Sequence, residues 1–148
     1  MKKGFTLVEV MIVVAIIALL AAIAIPQILR ARLVQNEAAA QATLRTVATA
    51  FENYAASNKS QYPTDIDSQL VNVTPRYLDK NYFSEFNVNK PYQGYFYAVV
   101  NITSAGYNIV ARPQVCSSQG TPGTGSKSYT VTTGGVLSKD TICTDTAP

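Results

Sequence analysis

One carboxylate sits in apolar company. Glu9 follows Phe5-Thr6-Leu7-Val8 and precedes Val10 to Ile25, a run without a polar side chain. Near the centre of a bilayer a carboxylate costs about 2.5–3.5 kcal/mol on insertion scales, and less near an edge, so such a residue marks function and calls for a partner. The partner inferred is a free α-amino group at Phe5, exposed by cutting after Gly4, because a cationic amine neutralises a carboxylate in apolar surroundings. Within one helix that amine and the Glu9 side chain lie one turn apart. Between neighbouring subunits the same pair would fix their axial stagger. The other reactive side chains are Cys116 and Cys143. An even count in an exported chain favours one disulfide. Closing a loop of about 28 residues there contributes roughly 3.5 kcal/mol in the chain-entropy picture. Two buried free thiols are the alternative, and the lack of a C-x-x-C spacing argues against redox or metal chemistry. The chain has no histidine, which removes the commonest general base and the commonest metal ligand.

Those residues need elements to hold them. Counting from Phe5, about 21 residues precede Pro26, enough to span a bilayer as a helix. Lys2 and Lys3 place the N-terminus in the cytoplasm by the positive-inside bias, and everything after about Leu29 outside. Two plainer readings compete: a conventional signal peptide cut at Ala22-Ile23-Ala24, and an ordinary single-pass anchor. The carboxylate of Glu9 argues against both. Pro26 lacks an N–H and crowds the carbonyl four residues back, so it should kink the helix or loosen the turn from Ala22. A tolerated membrane-helix proline and a built-in weak point that melts during assembly are both open.

Beyond Pro26 the helical period resumes. Leu33, Ala40, Leu44, Val47, Phe51 and Tyr54 recur at intervals of three, four or seven and make one apolar stripe, with Arg30, Arg32, Glu37, Arg45 and Glu52 largely outside it. Phe5 to about Ser57 therefore reads as one helix of roughly 80 Å. Its first half is apolar all round and its second half is amphipathic. Asn58-Lys59-Ser60 and Pro63 end it.

At Gly4-Phe5-Thr6-Leu7-Val8-Glu9 the chain resembles the prepilin signature of type IV pilins and of type II secretion pseudopilins. The short basic leader, the glycine, the carboxylate five residues beyond it and the length of the apolar run coincide. The resemblance is strong over roughly the first 30 residues and architectural beyond them. It implies cutting between Gly4 and Phe5 by a prepilin peptidase, N-methylation of Phe5, and pairing of Glu9 with Phe5 during assembly. It also implies a membrane-held precursor, an inner-membrane assembly platform with a cytoplasmic ATPase, and a helical homo-oligomeric filament at the cell surface.

The head begins near Asn58. Gln61 to Phe86 reads as an irregular connection, with a short helical piece at Ser68 to Leu70 and another opened by Thr74-Pro75 around Arg76 to Asp79. Asp65, Asp67, Asp79 and Glu85 match no EF-hand spacing and are expected to be solvated rather than bound to calcium. Strands are expected at Tyr92 to Ile102, Tyr107 to Arg112, Tyr129 to Thr132 and Val136-Leu137. Their turns are Ser104-Ala105-Gly106 and Thr133-Gly134-Gly135, and Gly120 to Ser126 is a loop. Cys116 and Cys143 bracket the last hairpin. Three N-x-S/T sequons, at Asn58, Asn72 and Asn101, are expected by chance in so Ser-, Thr- and Asn-rich a chain.

The expected fold class is α+β, a long N-terminal helix whose C-terminal half packs on an antiparallel sheet of about four strands, as in pilins. The expected organisation is a leader at 1–4, an apolar transmembrane and polymerisation half at 5–29, an amphipathic half at 30–57 and a globular head at 58–148. The net charge is +3, and without the first four residues ten basic side chains face nine acidic ones, too even a balance to imply nucleic acid. No nucleophile–base pair, phosphate loop or metal cluster is legible, so no enzyme, cofactor, metal or small-molecule substrate is expected. Three readings remain: major pilin serving adhesion, surface motility or DNA uptake, major pseudopilin, and secreted small binding domain with a conventional signal peptide.

Overall fold

A computed structural model of the chain describes residues 4–85, 90–117, 123–140 and 143. Lys2, Lys3 and part of the expected Gly120–Ser126 loop lie outside the described residues. The chain divides into two compact units, Met1–Arg32 and Leu33–Pro148. The long helix α1, Leu7–Ser57, contributes to both.

In the first unit α1 is apolar on every side. The side chains from Val10 to Ile25 are exposed apart from the half-buried Ala21. The helix is long and apolar enough to cross a membrane, with a mean hydropathy of 3.0 over its most apolar stretch. Pro26 lies inside α1, and residues 22–28 all keep the helical assignment.

In the second unit the expected stripe forms. Ala40, Leu44, Val47 and Phe51 of α1 are buried in one core with Tyr95, Tyr97, Tyr107, Ile109, Ala111, Tyr129 and Val131. Leu33 and Tyr54, at the two ends of the stripe, are half-buried. Burial of such side chains contributes about 1.5–3 kcal/mol each. The strands are β1 (Tyr95–Thr103), β2 (Gly106–Pro113), β3 (Ser128–Thr132) and β4 (Val136–Asp140). They form an antiparallel meander in the order β1-β2-β3-β4. Ala111 pairs with Tyr97 on one side and Tyr129 on the other, and Ile109 pairs with Val131. That register puts every second residue of the three strands on the face turned towards the core. Gly134 and Gly135 turn the β3–β4 hairpin with φ of 81° and 70°, a region that side chains with a Cβ disfavour.

Several elements differ from the expectation, and β4 runs on to Asp140. β1 starts at Tyr95 rather than Tyr92 because Gln93 and Gly94 both take positive φ and fold Tyr92 back onto Tyr95. No helix forms at Arg76 to Asp79. The N–H groups of Tyr77 and Leu78 both donate to the Leu70 carbonyl at 3.0 Å, and Leu78 is drawn into the core. The short helix α2 instead spans Tyr82–Glu85, where Asn81 Oδ1 accepts from the N–H groups of Phe83 and Ser84 at 3.0 and 3.3 Å, as a helix N-cap does. The expected helical piece at Ser68 to Leu70 is one π-helical turn, Asp67–Val71.

Candidate functional site

Two groups of polar side chains stand out, one in each unit. The first is at the start of α1. Glu9 N–H donates to Thr6 Oγ1 at 3.2 Å, and Glu9 Oε2 accepts from Thr6 N–H at 3.3 Å and from the Thr6 hydroxyl at 3.4 Å. This reciprocal pair is a capping box: side chain bonds to backbone in both directions and satisfies two helix-end donors. Glu9 therefore starts the helix as well as lying in its apolar stretch. Phe5 precedes the helix, exposed at 86%, so in the uncut chain it does not sit one helical turn before Glu9. Thr6 was not singled out from sequence, although Thr6-Leu7-Val8-Glu9 has the capping-box spacing. The apolar run drew attention to the carboxylate alone.

The second group was misjudged from sequence. Glu37 and Glu52 were expected outside the helix stripe, yet both point at the sheet side of the head. They are 15 positions apart, which brings them within roughly 60° of each other around a helix. Glu37 is buried. Its Oε1 accepts from Ser126 N–H at 2.9 Å and from the Ser126 hydroxyl at 2.6 Å. Its Oε2 accepts from the Tyr129 hydroxyl at 3.4 Å and lies 3.9 Å from Lys127 Nζ. Beside it Asn36 Nδ2 donates to the Thr124 carbonyl at 3.0 Å. Glu52 Oε1 accepts from the Tyr107 hydroxyl at 2.9 Å and from Gly134 N–H at 2.8 Å, and its Oε2 accepts from the Tyr62 hydroxyl at 3.0 Å. A carboxylate without partners in such surroundings would cost several kcal/mol. Three donors apiece offset that cost and make each residue a tie between α1 and a loop.

The tyrosines register this environment. Burial, and then the Glu52 carboxylate, raises Tyr107 and Tyr62 above the usual phenol range. Burial followed by the charge of Glu37 does the same for Tyr95 and Tyr129. Tyr97 is pushed up to about 12, chiefly by burial.

The disulfide expected from the cysteine count is present. Cys116 and Cys143 are bonded, with Cα atoms 5.7 Å apart. Cys116 follows β2 and Cys143 follows β4, so the bond joins segments beyond the two strands that flank β3. Around it, Ser117 N–H donates to the Gly125 carbonyl and Thr124 N–H to the Val115 carbonyl, both at 2.8 Å. The covalent tie and the Asn36–Glu37 tie therefore hold the same stretch, residues 124–127.

The acidic residues of the connection do not converge. Among the described residues no group of three potential metal ligands forms. The Ser68 hydroxyl donates to the Asp65 carboxylate, holding it below the usual carboxylate range. Of the sequons, Asn58 uses its Nδ2 to close α1 on the Tyr54 carbonyl at 2.9 Å, while Asn72 and Asn101 are exposed.

An apolar, capped helix that meets a four-stranded antiparallel meander defines an α+β protein with the pilin architecture. Residues 1–25 match the family described as the prokaryotic N-terminal methylation motif. The chain is 44% identical over 70 residues to the type IV wide pilus major component PilA4 of Thermus thermophilus, covering 47% of each protein. It is 43% identical over 61 residues to the type IV major pilin protein PilA of Myxococcus xanthus, covering 41% of this chain and 27% of that one. The chain thus spans about half the length, or less, of these relatives. It carries a prepilin-type N-terminus and is similar to type IV pilins, as its first nine residues implied.

Proposed function

We propose that the chain is the major structural subunit of a type IV pilus, polymerising through α1 into a helical filament that serves adhesion, surface motility or DNA uptake. The observation that carries this reading is the capped, exposed apolar helix with a single carboxylate at its head, inside a matching methylation motif. A prepilin peptidase cuts between Gly4 and Phe5, and Phe5 is N-methylated. The chain waits in the inner membrane with its N-terminus cytoplasmic. An assembly platform with its ATPase then draws it into the filament. There Glu9 of one subunit pairs with the Phe5 amine of another, and the turn before Pro26 is the place where helix can be given up for extension. Organisation follows the same division: leader 1–4, polymerisation half 5–29, amphipathic half 30–57 and head 58–148. Neither a cofactor nor a catalytic residue enters this role.

The pseudopilus reading shares the whole signature through Glu9, and Tyr62-Pro63-Thr64 after the helix also resembles a feature of pseudopilin-type chains. Pro63 is fully buried packing and Tyr62 is a ligand of Glu52, so both residues have a structural purpose within the head. Electron microscopy of sheared surface filaments, with mass spectrometry of their subunits, tests the proposal. Long filaments built mainly of this chain are expected. Cells that make the protein but only short, periplasm-spanning assemblies would contradict it.

A further inference from the structure

A cleft of about 310 Å³ opens beside the C-terminal end of α1, and none of the assembly chemistry uses it. Its walls come from three segments: the last turn of α1, the Gln61–Thr64 stretch with Gln69, and Ser104 of the β1–β2 turn. These walls are fixed. Tyr62 N–H donates to the Ser104 carbonyl at 3.0 Å, and Gln69 Oε1 accepts from the N–H groups of Thr64 and Asp65 at 2.7 and 3.1 Å. Lys59 and Ser60, at and beside the rim, take the left-handed conformation with φ of 55° and 63°. Two consecutive non-glycine residues there are unusual, and such conformations persist where surrounding structure over-determines them.

The lining has a distinct chemistry. It pairs two aromatic rings, Tyr54 and Tyr62, with the amides of Asn58, Gln61 and Gln69, and it holds no carboxylate. The walls consume Asn58 Nδ2 and Gln69 Oε1. What these residues bring to a ligand is therefore an acceptor, Asn58 Oδ1, and a donor, Gln69 Nε2. The absence of an acid argues against a cation, and one flexible lysine is too little for a phosphate, which favours several converging N–H donors or an arginine. Aromatic rings, each held edge-on by a second tyrosine, beside neutral donor–acceptor amides suit a molecule with an apolar ring face and a rim of hydroxyl groups. The volume is at the lower end of ligand pockets, which limits the occupant to one or two rings.

We propose that this cleft is a binding site for a neutral saccharide of one or two rings, stacked on Tyr54 and hydrogen-bonded to Asn58, Gln61 and Gln69. The site belongs to the head alone and does not depend on polymerisation. If the chain does form a filament, each subunit repeats the site, and weak single contacts add up by multivalency.

Saturation-transfer NMR on the full chain in a phosphocholine detergent tests this, with cellobiose, lactose and diacetylchitobiose as probes and glucose 6-phosphate as the anionic control. At least one neutral disaccharide is expected to receive saturation and the phosphate ester none. Gln61→Ala, at the exposed rim, and Tyr54→Leu should each weaken the response, Tyr54→Leu by about five- to tenfold for a lost aromatic contact. Circular dichroism checks that both variants keep the wild-type fold. Should Tyr54→Leu lose it, Gln61→Ala decides. Saturation of none of the neutral probes, or a response unchanged in a folded variant, would overturn the proposal. Because binding is read on unassembled chains, that failure would leave the filament reading untouched.

Discussion

At the scale of single residues, Glu9 has one role in the fold and a second that is proposed. Its Oε2 closes the capping box with Thr6, which leaves Oε1 for the proposed pairing with an amine of another subunit. The two roles separate by mutation. Thr6→Val removes the cap, worth about 1 kcal/mol at a helix start, and should speed amide exchange at residues 7–9 in micelles while leaving the carboxylate in place. Glu9→Ala should insert in the membrane normally and polymerise poorly; wild-type amounts of filament would remove the pairing argument. The carboxylate was legible in the sequence because the run that follows it, Val10 to Ile25, holds no polar side chain. The threonine was not, because a hydroxyl beside an apolar run looks like a boundary residue until its backbone partner is seen.

Elements meet through the other two carboxylates. Glu37 ties α1 to the stretch before β3, and Glu52 ties it to β2 and the β3–β4 turn. Glu37→Ala strands the Ser126 N–H and hydroxyl and the Lys127 amine. It should lower the stability of the head by about 3 kcal/mol or more, read from the denaturant midpoint. Cys116→Ser should cost roughly 3.5 kcal/mol under oxidising conditions, and an unchanged midpoint there would argue that the disulfide merely accompanies the fold. Helix, strands and both hairpins were readable from periodicity and turn residues, since Leu44, Val47 and Phe51 or Thr133-Gly134-Gly135 carry local signals. The inward aim of Glu37 and Glu52 was not readable. Tyr62 apart, their hydrogen-bond partners (the Tyr107 and Tyr129 hydroxyls, Ser126 and the Gly134 N–H) lie 55 to 92 residues away, and a helical wheel knows nothing of those. The missing helix at Arg76 has a nearer cause, because the Leu70 carbonyl takes the N–H groups of Tyr77 and Leu78 and Leu78 enters the core.

For the molecule as a whole, buried phenols set an upper pH limit. Tyr97 rises to about 12 in the folded chain against about 10 in an unfolded one, so folding favours its protonated form. The stability this contributes is complete below pH 10 and is lost as the pH climbs towards 12. Spectrophotometric titration should show exposed tyrosines ionising first and the buried ones only as near-ultraviolet circular dichroism collapses. A smooth titration of all nine tyrosines near pH 10, with the fold intact, would contradict the buried core described above.

The filament account stands most directly on how the chain begins once it is made. Intact mass and N-terminal sequencing of the mature protein from the cell surface should give a chain starting at N-methylated Phe5, which frees the amine that Glu9 is held to meet. A chain starting at Ile25 would mean that the apolar segment was discarded as a signal peptide, and the proposed polymerisation through α1 would fall with it.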